Sequence, residues 1–96
     1  MTGAEIDTLI ALVEQGPLWD GDVPSKVGRD NLIERGLACR VIVAGNDGFT
    51  AATYLGRDTY REHFGTALGG KADTIAEARA NRIARRAVLA AQGGDR

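Results

Sequence analysis

Few side chains in this 96-residue chain could do chemistry, and their spacing does not bring them together. His63 is the only histidine, near the end of a helical pattern, where a cation suits the helix dipole. One histidine without cysteine partners makes no zinc site, so a structural role is expected. Cys39 is the only cysteine, which excludes an internal disulfide and fits a reducing cytoplasm. It lies in an alternating pattern on the side of Val41 and Val43 and is expected to be an inert core thiol. Asp20 and Asp22 flank Gly21 and could pair as carboxylates or hold a metal weakly. Aspartate also stabilises turns through its own side chain, and that is the expected role. The chain contains no Gly-x-x-x-x-Gly-Lys-Ser/Thr and no Gly-x-Ser-x-Gly. The glycines of 65–70 lack the flanking strand and helix of a phosphate cradle. No enzyme, no metal and no cofactor are expected. What remains is binding by charge, from Lys26, Arg29 and Arg40 and from Arg79, Arg82, Arg85 and Arg86.

Composition narrows the binding classes. Twelve Lys and Arg against thirteen Asp and Glu give a net charge of −1 and a pI near 5.7. The distribution is uneven: residues 1–25 hold Glu5, Asp7, Glu14, Asp20 and Asp22 with no base, a charge of −5. Residues 26–96 hold all twelve bases against eight acids, a charge of +4. Such a protein is repelled by nucleic acid at long range unless a local patch reverses the field. No apolar run approaches the ~20 residues that span a bilayer, and the acidic N-terminus is no signal peptide. A cytoplasmic protein with no membrane partner is expected. The length fits one domain with an appended arm and a thin core, burying about 60–65% of the unfolded surface.

These residues need elements to position them. Thr2 and Glu5 form a capping box before Ile6, Leu9, Ile10 and Val13, so 4–15 reads as an amphipathic helix stopped by Gly16-Pro17. Residues 17–24 form a compact connection with room for about one turn of helix. Ser25 caps a helix over 26–35 that Gly36 closes; Gly28 inside it costs about 1 kcal/mol unless something approaches its backbone. From Ala38 to Ala44 the period changes to two, Gly45-Asn46-Asp47-Gly48 is a tight turn, and 49–52 returns as a strand. Thr53 caps a third helix to about Phe64, with Gly56 placed for a close backbone approach. Residues 65–73 read as a flexible linker. Thr74 and Glu77 cap an alanine-rich helix over 74–92, and residues 93–96 should fray. The fold expected is mainly α with a small antiparallel β-hairpin, as a domain over 1–64 and a helical arm over 74–92. The expected core is Ile6, Leu9, Ile10, Val13, Leu18, Trp19, Leu32, Ile33, Leu37, Val41, Val43, Phe49, Tyr60 and Phe64.

The run Leu32-Ile-Glu-Arg-Gly-Leu-Ala, a hairpin, then Thr53-Tyr-Leu-Gly-Arg resembles winged-helix transcription regulators over roughly residues 25–64, in a reduced form. The resemblance implies a recognition helix that enters the major groove and a wing that touches the backbone. By position, Ser25, Lys26, Arg29 and Asn31 would face DNA and Arg40 would flank the wing. The compact, glycine-punctuated style also looks like small phage or prophage proteins.

The last helix supports two further partners. Ala76, Ala80, Ile83, Ala87 and Ala90 alternate steps of four and three, a heptad seam for self-association or docking. Arg79, Arg82, Arg85 and Arg86 lie away from it, in a stretch that resembles the arginine-rich RNA-binding helices of phage antiterminators. Three functions follow: a DNA-binding regulator dimerising through this helix, a protein-binding module such as a phage-encoded inhibitor or assembly adaptor of a host protein, or RNA binding by the arginines.

Overall fold

A computed structural model describes residues 1–93, with side chains through Ala91; the fraying expected of Gly94, Asp95 and Arg96 lies outside the described residues. The chain forms two compact units, Met1–Tyr60 and Arg61–Arg96. The fold is mainly helical with a small antiparallel sheet.

In the first unit α1 (Gly3–Gln15) opens on the capping box, with the Glu5 backbone N–H donating to Thr2 Oγ1 at 3.2 Å. It ends at Gly16, whose φ of 83° suits glycine. Then come β1 (Leu18–Trp19), a single 3-10 turn at Asp20–Asp22, and α2 (Lys26–Glu34). Ser25 Oγ caps α2 by accepting from Gly28 N at 2.9 Å. Gly36, at φ 77°, closes α2 while Leu37 N donates to Leu32 O. β2 (Ala38–Val43) and β3 (Asn46–Ala52) follow, and α3 (Tyr54–His63) carries the chain into the second unit.

The sheet has three strands in the order β1-β3-β2, one more than the hairpin expected. β1 is two residues long, too short for alternation to reveal it, and Pro17 before it needs no ladder donor. The hairpin turn is also two residues earlier than the Gly45–Gly48 turn expected. Ala44 (φ 51°) and Gly45 (φ 79°) make a two-residue turn, and Asn46 pairs with Val43. The displaced residue enters β3 as a bulge, where Gly48 takes a φ of 92°.

Register decides which face of the sheet is inside. Leu18, Thr50 and Arg40 lie in one row, and Trp19, Phe49 and Val41 in the next. α1 packs on β3 and α2 on β2. Thr50 is fully buried, so its row faces the helices. Cys39 and Val41 therefore belong to the outer face. This corrects two expectations: Cys39 is an exposed free thiol rather than a core group, and Trp19 is 47% exposed. Val41, Val43, Phe49 and Leu18 are half-buried.

α1 is turned relative to its expected face. Glu5, Thr8, Leu9, Ala11, Leu12 and Val13 are buried, whereas Ile6 and Ile10 are half-buried. The reason is α2, which crosses so closely that a Cβ on Gly28 would lie 2.7 Å from Ala4 O and 3.0 Å from Thr8 Oγ1. Thr8 satisfies its hydroxyl on Ala4 O at 2.8 Å, and the buried Glu5 carboxylate meets Arg35 Nε at 3.2 Å. Leu32 and Tyr60 are fully buried as expected, Ile33 and Leu37 half-buried. Tyr60 Oη donates to Glu14 Oε2 at 2.5 Å.

In the second unit Phe64, Gly65, Ala72 and Ala78 are buried. Residues 65–73 form a hydrogen-bonded loop: Thr66 N donates to Gly70 O at 2.7 Å, and Ala72 exchanges bonds with Arg61 through its N–H and its carbonyl. α4 (Ile75–Gly93) starts on Thr74, whose Oγ1 accepts from Glu77 N at 3.0 Å. Asn81 Nδ2 donates to Phe64 O at 2.9 Å. Arg85 donates to His63 O at 3.0 Å and to Gly65 O at 2.7 Å. Those carbonyls lie at the end of α3, where a helix leaves backbone acceptors without helical donors.

Candidate functional site

The DNA-facing residues suggested by position gather around one carboxylate. Asp20, presented by the 3-10 turn, accepts from Arg40 twice, at 2.6 Å on Oδ1 and 2.9 Å on Oδ2. It accepts from Arg29 at 3.0 Å. Arg29 also holds Asp30 through Nε at 3.0 Å and a terminal nitrogen at 2.9 Å, and its side chain is only 14% exposed. Arg40 reaches Thr50 Oγ1 at 3.3 Å. Two guanidiniums and two carboxylates thus form a neutral cluster, and the fork geometry makes the Arg40–Asp20 pair strong.

The hydrogen bonds from Arg40 hold the Asp20 carboxyl below its ordinary range against the opposing effect of burial, and the charges of Arg40 and Arg29 add to them. The same bonds push the Arg40 guanidinium up, opposed by burial and helped by Asp20, Asp30 and Asp47. Asp20 was expected to be a turn former; its partners lie nine and twenty residues away, beyond any local signal.

Of the other positions, Ser25 spends its hydroxyl on the α2 cap and Asn31 is half-buried. Lys26 is exposed, but the outward face of α2 around it carries Val27, Asp30 and Glu34, one base against two acids. The β2–β3 hairpin adds an exposed Asp47 beside Arg40, Val41, Ile42 and Gly48, which line an open depression. On the outer sheet face, the Trp19 ring meets Phe49 edge-on at 5.3 Å and lies over Gly48, where a Cβ would come within 2.6 Å of it.

α4 differs in character. Ile75, Ala78, Asn81 and Arg82 are turned inward. The seam residues Ala76, Ala80, Ile83, Ala87 and Ala90 are all exposed, as are Arg79, Arg85 and Arg86. Beyond Arg86 every residue through Ala91 is apolar and open to solvent. Ile83, Val88 and Leu89 are 47%, 55% and 68% exposed, and Ala84, Val88 and Leu89 line an apolar depression with the stem of Arg85. Heptad spacing pointed to a seam of mostly small residues; the larger Val88 and Leu89 lie off that seam and were not singled out.

No group of three or more His, Cys, Asp and Glu side chains is arranged to hold a metal among the described residues, and no described helix is long and apolar enough to cross a membrane. No family model, curated protein or solved structure matches the chain.

Proposed function

We propose that this chain is a non-enzymatic protein-binding module that engages its partner through the exposed half of α4, carried on a reduced winged-helix scaffold. One observation carries the reading: the helix from Ala87 to Ala91 is apolar on every side and lies in water, with Ile83 exposed one turn before it. A helix apolar all round belongs to a buried environment, and contiguous apolar exposure marks interaction surfaces. An inhibitor or assembly adaptor acting on a host protein fits this surface. The test is capture from nuclease-treated lysate of the native cell, with the wild type and a Val88→Glu/Leu89→Glu variant as baits. A partner held by the wild type and lost by the variant is expected; equal recovery, or none, ends the reading.

DNA binding is the second reading. The strand order β1-β3-β2 with α2 leading into β2, and an exposed Lys26 at the start of α2, favour it. The neutral Asp20 cluster disfavours it, because arginines already saturated by carboxylates release no counterions from phosphates. A mobility-shift titration on mixed genomic fragments at low salt decides, and absence of a shift removes it.

A further inference from the structure

The sheet ends on an open edge. β2 pairs with β3 on one side, and among the described residues no strand pairs with its other side. Thr53 N donates to Leu37 O in continuation of the β2–β3 ladder. Backbone groups alternate along a strand, so Cys39 and Val41 turn theirs toward β3 and Arg40 and Ile42 turn theirs outward. No backbone partner among the described residues meets those outward groups. Arg40 is exposed and Ile42 is 69% exposed, so no helix covers the stretch. The usual guards of an edge are missing as well. β2 contains no proline and no lysine, and the bulge lies in β3. Its one charge, Arg40, is already neutralised by Asp20 and does not penalise a strand laid beside it.

The edge is complementary to a second copy of itself. Antiparallel pairing opposes residues that both point outward. A dyad on Arg40 sets two arginines face to face, which acts against association. A dyad on Ile42 brings Arg40 opposite Ala44 in the turn and shortens the ladder. A dyad on Val41 pairs each Arg40 with Ile42 of the second copy, and each such pair exchanges two hydrogen bonds. The aliphatic stem of Arg40 then lies along Ile42. On the outer face Trp19, Phe49 and Val41 form one row, and this dyad continues it directly into the same row of the second copy. Cys39 falls opposite Val43, so no like charges meet anywhere along the pairing.

From this we infer that two copies of the chain join edge to edge through β2, antiparallel about Val41, so that their sheets become one. The complementarity is with β2's own sequence, which commits the edge to a second copy. The contact lies within the Met1–Tyr60 unit and does not depend on the α4 surface proposed above.

The test uses the full chain. A strand edge is smaller than the ~800 Å² per partner of a standard interface, so sedimentation should run up to about 1 mM chain, where the mass should rise from monomer to dimer. Ile42→Pro should hold the mass at monomer with unchanged circular dichroism, because the Ile42 N–H makes no bond within the chain. Where the proline disturbs folding, Ile42→Lys serves instead; it sets a second cation beside Arg40 and should weaken association about tenfold. Oxidation reads the register. Val41→Cys in a Cys39→Ser background puts two thiols on the dyad, with Cα atoms about 4.5 Å apart and within disulfide reach. The two wild-type Cys39 residues are offset by roughly 13 Å along the strands, beyond that reach. Mild oxidation should therefore give covalent dimer about tenfold or more faster from the Val41→Cys variant than from the wild type. A chain that stays monomeric at the highest concentration overturns the inference. So does a dimer that persists in both Ile42 variants, and so does equal cross-linking through Cys39 and through Val41→Cys.

Discussion

Substituting Gly56 by Ala should unfold this protein far below its normal midpoint, although alanine is the better helix former. Gly56 lies in the first turn of α3, where a Cβ would be 2.0 Å from the Leu37 carbonyl oxygen and 3.0 Å from its carbon. Ordinary contact begins near 3.4 Å, so the start of α3 must withdraw by about 1.4 Å. Two bonds stand in the way. Thr53 N donates to Leu37 O at 3.0 Å, and Thr53 Oγ1 donates to Gly36 O at 2.7 Å while accepting from Gly56 N. Overpacking costs about 1–3 kcal/mol and two weakened hydrogen bonds about 2 more, offset by about 1 kcal/mol of helix propensity. The net loss of about 2–4 kcal/mol is a large share of the ~5–14 kcal/mol a chain this size holds. The melting temperature should fall by about 8–30 °C in far-ultraviolet circular dichroism. Gly3→Ala is the control, because nothing lies within 4 Å of its Cβ; it should change the midpoint by little or raise it. A Gly56→Ala protein that melts with the wild type would refute the packing of Leu37 against α3.

Three further outcomes follow from single contacts. Asp20→Asn should free Arg40 from its carboxylate, with Arg29 still held by Asp30, and raise the salt concentration needed to elute the protein from heparin; unchanged elution means Arg40 gains no access to anions when Asp20 is replaced. Tyr60→Phe removes the fully buried hydroxyl's bond to Glu14 and should cost about 1.5–3 kcal/mol in urea denaturation, with Glu14→Gln costing less because it keeps an acceptor. Stability should be flat near neutral pH and fall in acid: burial pushes the Glu5 carboxyl up, but the bonds from Thr2 and the charges of Arg35 and the N-terminus outweigh it and leave it below its usual 4.5, and Asp20 likewise lies below 3.8. The folded state therefore binds fewer protons than the unfolded chain, and the stability fully present above those ordinary values is lost as pH falls from them through the lower folded-state values. Glu5→Gln should shallow this acid limb.

The elements were readable wherever a local rule governs them. Thr2 with Glu5, Ser25 and Thr74 each cap the helix start they announce, and Gly28 and Gly56 are the close approaches expected of glycines inside helices. The alternation in β2 separated Cys39, Val41 and Val43 from Arg40, but hydrophobicity pointed to the wrong face. Arg40 can face the helices because Asp20 neutralises it there, and that pairing spans twenty residues. The rotation of α1 has a similar origin. Glu5 is tolerated inside because Thr2 and Arg35 complement it, which admits Thr8 and Leu12 to the core beside it and leaves Ile6 and Ile10 half-buried. Local pattern located the elements, and ion pairs between distant residues decided which faces they bury.

The same arginine count supports different partners according to what surrounds each guanidinium. Around Arg29 and Arg40 the protein has already supplied carboxylates, so a phosphate must displace Asp20 before it gains a contact. Along α4 the exposed Arg86 is flanked by Ile83, Ala87 and Ala90, all exposed. A nucleic acid bound there would use the guanidinium and leave Ile83, Val88 and Leu89 in water, so the apolar surface would contribute nothing to its affinity. A protein surface that is apolar with a polar rim would use both kinds of group at once. Apolar burial then supplies most of the free energy, at roughly 25 cal/mol per Å², and the polar rim supplies the choice among partners.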